Sequence, residues 1–367
     1  MIITSKNFDN MTSVSQKISI AIIGVGLIGP RHARTVVDSP EAELFAIVDP
    51  LPKSASLAEE LGAQYFKSVQ NLVGNPNKPD AAIVCTPNHT HVLVAKELAA
   101  AGIHVLVEKP ISTDIESGKD LIKFAKDSGI KLLVGHHRRF NPYVVAAKKE
   151  ILSGSLGNIV AVSGLWTLCK PMEYFDAPAE WRRGQTGGVI LINLIHEVDL
   201  LHHLIGPIVR VYAEKTRSRR GYEAEEGAAI TFRFASGAVG TFVVSDNVAS
   251  PYNFESGTGE NPLIPRTHGV DFYRIFGTSG TLSVPDMAKW SYAGSIKSWH
   301  EPMVKTNIEV SDATPFELQL AHFIEVVKGE EEPSCDGKAG LAALIVCDAV
   351  KQALESGQPV DVESYML

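Results

Sequence analysis

From residue 17 to about residue 135, short apolar runs alternate with helical patterns, and this alternation restricts the fold more than any other feature of the chain. The runs at 18–23, 43–48, 81–85, 104–107 and 131–134 are rich in Ile, Val and Leu and too short to be buried helices. Strand and helix repeated in this way predict an α/β architecture, a doubly wound parallel sheet with helices on both faces. The helix stops agree. Gly102 follows the pattern at 90–101 and Gly129 follows 115–128, each where a left-handed cap is wanted. Thr113 with Glu116 predicts a capping box at the start of the second of these helices. With 45% hydrophobic and 21% charged residues in 367, the chain can bury ordinary globular cores, which excludes wholesale disorder.

Beyond Pro142 the pattern changes. One helix (143–152) is followed by alternating runs at 159–167, 209–216, 228–234 and 239–245, and a turn at Ala235, Ser236 and Gly237 joins the last two. These predict an antiparallel sheet in a second α/β domain over 139–367, after a first domain over 17–138. Further helices are expected at 191–204, 315–328 and 338–355. Residues 1–16 read as a flexible tail, with Met11 an alternative start. Residues 246–269, rich in Pro, Gly and acids, form either a functional loop or a solvated insertion.

Forty-two acids against thirty-four bases give a net charge of −8, which argues against a nucleic-acid clamp. No run is long and apolar enough for a membrane span, and the first residues lack a secretory signal, so a cytoplasmic protein is expected. Cys85, Cys169, Cys335 and Cys347 form no CxxC pair and read as free thiols. The pairs His89/His91, His136/His137 and His202/His203 match no zinc spacing, so no metal is expected.

The first predicted strand runs into Gly24, Val25, Gly26, Leu27, Ile28 and Gly29, a GxGxxG pattern that opens a helix carrying Pro30 in its first turn. The first glycine permits a tight turn and the second lets a pyrophosphate approach the backbone, here of Gly26, Leu27 and Ile28. The third lets helix and strand pack closely while the helix N-terminus faces the anion. Asp49, twenty residues after Gly29, ends the next strand where a carboxylate can accept from both ribose hydroxyls. Strand, glycines and acid together form a dinucleotide-binding, Rossmann-type fingerprint. Asp49 repels a 2′-phosphate and the nearest cation is Lys53, so NAD is favoured and NADP remains possible. Two further strand ends carry reactive groups: Thr86, Pro87 and Asn88, then Glu108, Lys109 and Pro110. A Glu-Lys pair is most often solvated surface; at a strand end beside a cleft it can instead hold an ammonium rigidly.

Taken together, GxGxxG, Thr86-Pro87-Asn88 with His91, Glu108-Lys109-Pro110, the run 138–142 and Gly187-Gly188 leading to His196 resemble the Gfo/Idh/MocA oxidoreductases, from residue 17 onward. The resemblance implies a Rossmann domain followed by an α/β domain with a large open antiparallel sheet, whose flat face pairs subunits into a homo-dimer or homo-tetramer. It implies NAD(P)-linked hydride transfer at a hydroxyl or carbonyl carbon of a small sugar, cyclitol, polyol or sugar-like acid. Thr86, Pro87, Asn88, His91, Glu108 and Lys109 would lie at the nicotinamide and its ribose. Lys109 would hydrogen-bond the reacting oxygen, and His196 would serve as acid/base.

One departure stands out: many relatives carry Asp four residues before this His, where this chain has Ile192. Asn193 is a candidate substrate contact. Asp199, at i+3 from His196, either orients the imidazole or is a surface or interface carboxylate. Trp166, Lys170, Tyr174, Trp181 and Arg182 read as a substrate platform or as ordinary packing, and Arg217, Arg219 and Arg220 as a solvated hairpin end. Two alternatives accompany the dehydrogenase reading: reduction of a C=N or other carbonyl-like bond, and a non-catalytic NAD(P) sensor of the same fold. Retention of Lys109 and His196 favours catalysis.

Overall fold

A computed structural model describes residues 17–362 apart from 178 and 186; the predicted tail at 1–16 lies outside the described residues. The first sheet is built from β1 (Ile18–Ile23), β2 (Ala42–Val48), β3 (Gln64–Phe66), β4 (Ala81–Val84), β5 (His104–Val107) and β6 (Leu132–Val134). Their order is β3-β2-β1-β4-β5-β6, all parallel, so the strand order reverses between β1 and β4. The connecting helices are α1 (Gly29–Asp38), α2 (Ser54–Glu60), α3 (Val69–Val73), α4 (His91–Ala100) and α5 (Ile115–Asp127). Gly102 and Gly129 take positive φ, as their capping role requires. The capping box does not form: Asp114 is the N-cap of α5 and accepts from the Ser117 amide, because its carboxylate reaches that N–H directly.

Alternate residues of each strand feed opposite faces. Ile20 and Ile22 of β1 join Ile47, Ile83 and Leu106 in one cluster, while Ala21 and Ile23 join Val48, Val84 and Val107 in the other. The first cluster is closed from far along the chain by Leu320, Phe323, Ile324 and Val326.

The second sheet has nine strands: β7 (Ile159–Thr167), β8 (Ile208–Lys215), β9 (Gly227–Phe234), β10 (Val239–Ser245), β11 (Tyr273–Gly277), β12 (Gly280–Val284), β13 (Ala288–Tyr292), β14 (Met303–Asn307) and β15 (Val360–Asp361). Its order is β14-β13-β12-β11-β7-β10-β9-β8-β15. The predicted antiparallel sheet is therefore corrected to a mixed one. β7 runs parallel to β10, a pairing between strands far apart in sequence that no local hairpin signal announces. One face packs on α6 (Pro142–Leu152), α7 (Ile195–Leu204) and α10 (Gly337–Ser356). The other is open, and a row across it carries Trp290, Thr281, Phe276, Ala161 and Val239.

Within 246–269 lies a short buried helix, α8 (Phe254–Thr258), while 262–263, 265–266 and 268–269 are exposed, so the segment is solvated only in part. The chain returns to the first sheet through α9 (Pro315–Lys328), which carries Leu320 and Phe323. The predicted helix at 191–204 begins as a π-helical turn, Ile190–Leu194, before α7. Among the described residues no helix is long and apolar enough to cross a membrane, and all four cysteines are free.

Candidate active site

The crevice at the strand-order reversal is lined by the ends of β1 and β4. Gly24 turns with φ of 89°, and a Cβ there would sit 2.9 Å from the Cys85 carbonyl oxygen. A Cβ on Gly29 would sit 2.1 Å from the Gly24 oxygen, so both positions admit only glycine. Gly26 is different: a Cβ there would meet nothing within 4 Å, and Leu27 beside it is exposed. The helix that follows has Ile28 as N-cap with no side-chain cap; Pro30 has no N–H, and the Arg31 and His32 amides donate to the Ile28 carbonyl. An exposed turn that needs no side chain, at the N-terminus of a helix with no side-chain cap, fits the pyrophosphate of a dinucleotide. Asp49 ends β2 beside it and accepts from the amides of Val25 (3.0 Å) and Leu51 (2.8 Å), which ties the glycine turn to the predicted ribose acceptor.

Thr86, Pro87 and Asn88 follow β4; Pro87 and Asn88 are exposed, and Thr86 Oγ1 accepts from Thr90. The expectation for His91 as a cofactor contact is corrected. Its ring is buried, with Nδ1 2.8 Å from the Pro110 oxygen and Nε2 2.8 Å from the Thr86 oxygen, so it links the ends of β4 and β5 rather than facing the crevice. Glu108 is also buried. Burial opposes its charge, but the His32 hydrogen bond (2.9 Å) and nearby cations hold its carboxyl at about 2.

Lys109 is half-buried at the end of β5, and its Nζ donates to the Ile192 carbonyl at 3.3 Å. Burial, aided by Arg138 and Lys170 and opposed by Glu108, lowers its ammonium to about 8. The π-helical turn thus brings a backbone oxygen to Lys109 where the resemblance implied a carboxylate. One position on, Asn193 Oδ1 accepts from Lys170 Nζ at 2.7 Å. His196 follows at the start of α7, buried, with Nδ1 lacking a hydrogen-bond partner among the described residues. Burial and the neighbouring Lys109, Arg138, His137 and His136 push its pKa well below 6.5, so it is neutral. Its ring meets those of His137 and His136 edge-on at 5.7 and 6.0 Å.

Asp199 neither orients His196 nor lies at the surface. It is buried against Arg139, with Nε–Oδ2 at 2.9 Å and a second hydrogen bond from Nη2 to Oδ1 at 2.6 Å. The neighbouring Arg138 binds Glu197, Glu255 and Glu260, the last two from the segment around α8. The sequence singled out Asp199 but not its partner, and it gave no role to either arginine or to Glu197, Glu255 and Glu260; the apolar spacing of 191–204 gives no sign that its helix buries two carboxylates.

Trp166 is corrected as well. It is 1% exposed and its indole donates to Glu255 at 2.8 Å, so its ring is core and presents no face to a ligand. Trp181 is 49% exposed, and the Arg182 guanidinium lies 3.8 Å from the Tyr174 ring centroid. Arg217 and Arg219 are exposed as expected, but Arg220 turns inward to Asp246. Among the described residues no group of three or more His, Cys, Asp or Glu side chains is placed to hold a metal ion.

Two family models match the chain: an oxidoreductase family's NAD-binding Rossmann fold over residues 18–136, and that family's C-terminal alpha/beta domain over 148–362. The inositol 2-dehydrogenase of Rhizobium meliloti is 24% identical, over 94% of this chain and 99% of its own. The 2,7-anhydro-N-acetylneuraminate hydratase of Escherichia coli is 29% identical over 95% and 98%. Among solved structures, the WlbA dehydrogenase of Bordetella pertussis in complex with NADH and UDP-GlcNAcA superposes with a TM-score of 0.73. It is 27% identical and covers 94% of this chain and 99% of that one.

Proposed function

Since the chain belongs to the Gfo/Idh/MocA oxidoreductase family and carries its NAD-binding Rossmann domain, we propose that it transfers hydride between NAD and a hydroxyl or carbonyl carbon of a sugar, cyclitol, polyol or sugar-like acid. The observation that carries this reading is the approach of Lys109, at the end of β5, to the π-helical turn that leads into His196. On this reading, two proton-handling groups from separate parts of the chain share the crevice that the glycine turn opens. Bound NAD supplies the hydride acceptor; the protein must orient the carbinol and remove its proton.

Lys109, with its ammonium lowered to about 8, is the better matched base near neutrality. In its neutral form it takes the hydroxyl proton as hydride leaves. His196, neutral over the same range, donates a ring N–H to the oxygen of the same hydroxyl and fixes its direction. Pro87 and Asn88 at the open edge and Asp49 behind the glycine turn support placement of the nicotinamide and ribose along that edge, with NAD preferred over NADP. Association into a homo-dimer or homo-tetramer through the open sheet face, and a cytoplasmic location, complete the reading.

The test is thermal unfolding with NAD⁺, NADH, NADP⁺ and NADPH in turn, followed by turnover of polyols and sugar acids. A cofactor at about a hundred times its Kd adds about 2.7 kcal/mol to the folded state. NADH is expected to shift the transition and NADPH to do so much less. Lys109→Ala is expected to keep the NADH shift and lose about 10²–10⁴-fold in turnover. Unchanged turnover in that variant would remove Lys109 from the mechanism.

A further inference from the structure

On the substrate side of the crevice, Lys109, Lys170, Arg182 and Arg220 lie along one run of contacts, and among the described residues Lys109 and Arg182 make no ion pair with a carboxylate. Lys170 and Arg220 share the carboxylate of Asp246, which lies 3.2 Å from Lys170, and Arg220 Nε also lies 3.8 Å from Glu226 Oε1. Lys109 donates to a neutral carbonyl, and Ile192 supplies no charge. Arg182 has no carboxylate within ion-pair distance among the described residues; its Nη1 donates to the Tyr174 carbonyl at 2.8 Å, and its Nε is buried without a hydrogen-bond partner. Its guanidinium and the Lys170 ammonium both lie against the Tyr174 ring, at 3.8 and 4.7 Å from the centroid. These contacts run continuously: Lys109 touches residue 192, Lys170 touches residue 193, and Tyr174 joins Lys170 to Arg182.

Resting on the oxidoreductase reading above, we propose that the substrate is an anion, a polyhydroxylated carboxylic acid, with its carboxylate held by Lys170 and Arg182 and its reacting carbinol at Lys109. A neutral polyol that filled this crevice would expel water from cations and return no charge, whereas a carboxylate accepts charge-assisted hydrogen bonds from both. Lys170 has the donor to give, since an ammonium carries three N–H groups and Asn193 and Asp246 take two. Ile192 fits the same logic, because a carboxylate at that position would repel the ligand's own.

The experiment is calorimetric titration of the NADH-bound full chain with D-gluconate against D-glucitol and with D-glucuronate against D-glucose. Within each pair the molecules differ only in a carboxylate replacing a hydroxymethyl group. The acid of at least one pair is expected to bind tenfold or more tightly. Arg182→Gln, at a half-buried position, is expected to remove most of that preference while keeping the NADH-induced rise in Tm, which reports that the variant folds. Lys170→Met provides the second variant. Acids that bind no better than their neutral partners overturn the proposal, as does a preference that survives both substitutions. If NADH produces no shift in the unmodified protein, it is the oxidoreductase reading that fails, and the anion proposal falls with it.

Discussion

Burial acts on Lys109 and His196 in the same direction but with different chemical results. An ammonium lowered from 10.5 to about 8 becomes a base usable near neutrality, whereas an imidazole pushed well below 6.5 stops titrating there. Oxidation needs the neutral amine, so its rate is expected to rise with pH through a midpoint near 8; reduction needs the ammonium and falls through the same midpoint. A limb near 6.5 would instead point to an exposed histidine. Ile192→Asp sharpens the test, because a carboxylate facing Lys109 favours the charged amine. The midpoint should move up by about 1 unit or more, and a midpoint that stays near 8 would place residue 192 away from the ammonium.

At the scale of elements, α7 is held by the segment that precedes α6 rather than by its apolar residues alone. Arg138 and Arg139 reach across to Glu197 and Asp199, one helical face apart, so consecutive arginines lock the helix that presents His196. Burial, offset by Arg138 and the Tyr273 hydroxyl, raises Glu197 to about 7, so that pair carries a proton near neutrality. Asp199 is held low, since Arg139 outweighs its burial. Arg139→Met would leave Asp199 buried without its partner, and a loss of about 3–5 kcal/mol in denaturant unfolding is expected. A loss under about 1 kcal/mol would show that Asp199 finds another donor.

For the whole molecule, the open face of the nine-stranded sheet carries exposed apolar side chains among the described residues. Phe276, Trp290, Val239 and Val243 are each between 38% and 51% exposed, a density of apolar groups more typical of an interface than of a solvated sheet. Val243→Lys with Phe276→Lys should yield a monomer in sedimentation if this face pairs subunits, and an unchanged assembly would direct attention to another surface. The first sheet, in turn, is not self-sufficient: Leu320, Phe323 and Ile324 of α9 complete one of its cores from nearly two hundred residues beyond β6. The proposed boundary near 138–139 therefore describes chain order better than packing.

The parallel sheet, the glycine turn, Asp49 and the Lys109 strand end were readable from the sequence, because each depends on period, glycine stereochemistry or spacing within a few tens of residues. The same local signals located α9 and four of the nine strands of the second sheet, β7 to β10. What they left open depended on partners distant in the chain. The pairing of β7 with β10, the enclosure of Trp166 by Glu255, the capture of Asp199 by Arg139 and the union of Lys170 with Asn193 all join segments with no local signature. A carboxylate at i+3 from a histidine looks the same in sequence whether it faces that histidine or an arginine sixty residues away, and burial in the assembled fold decides which it meets.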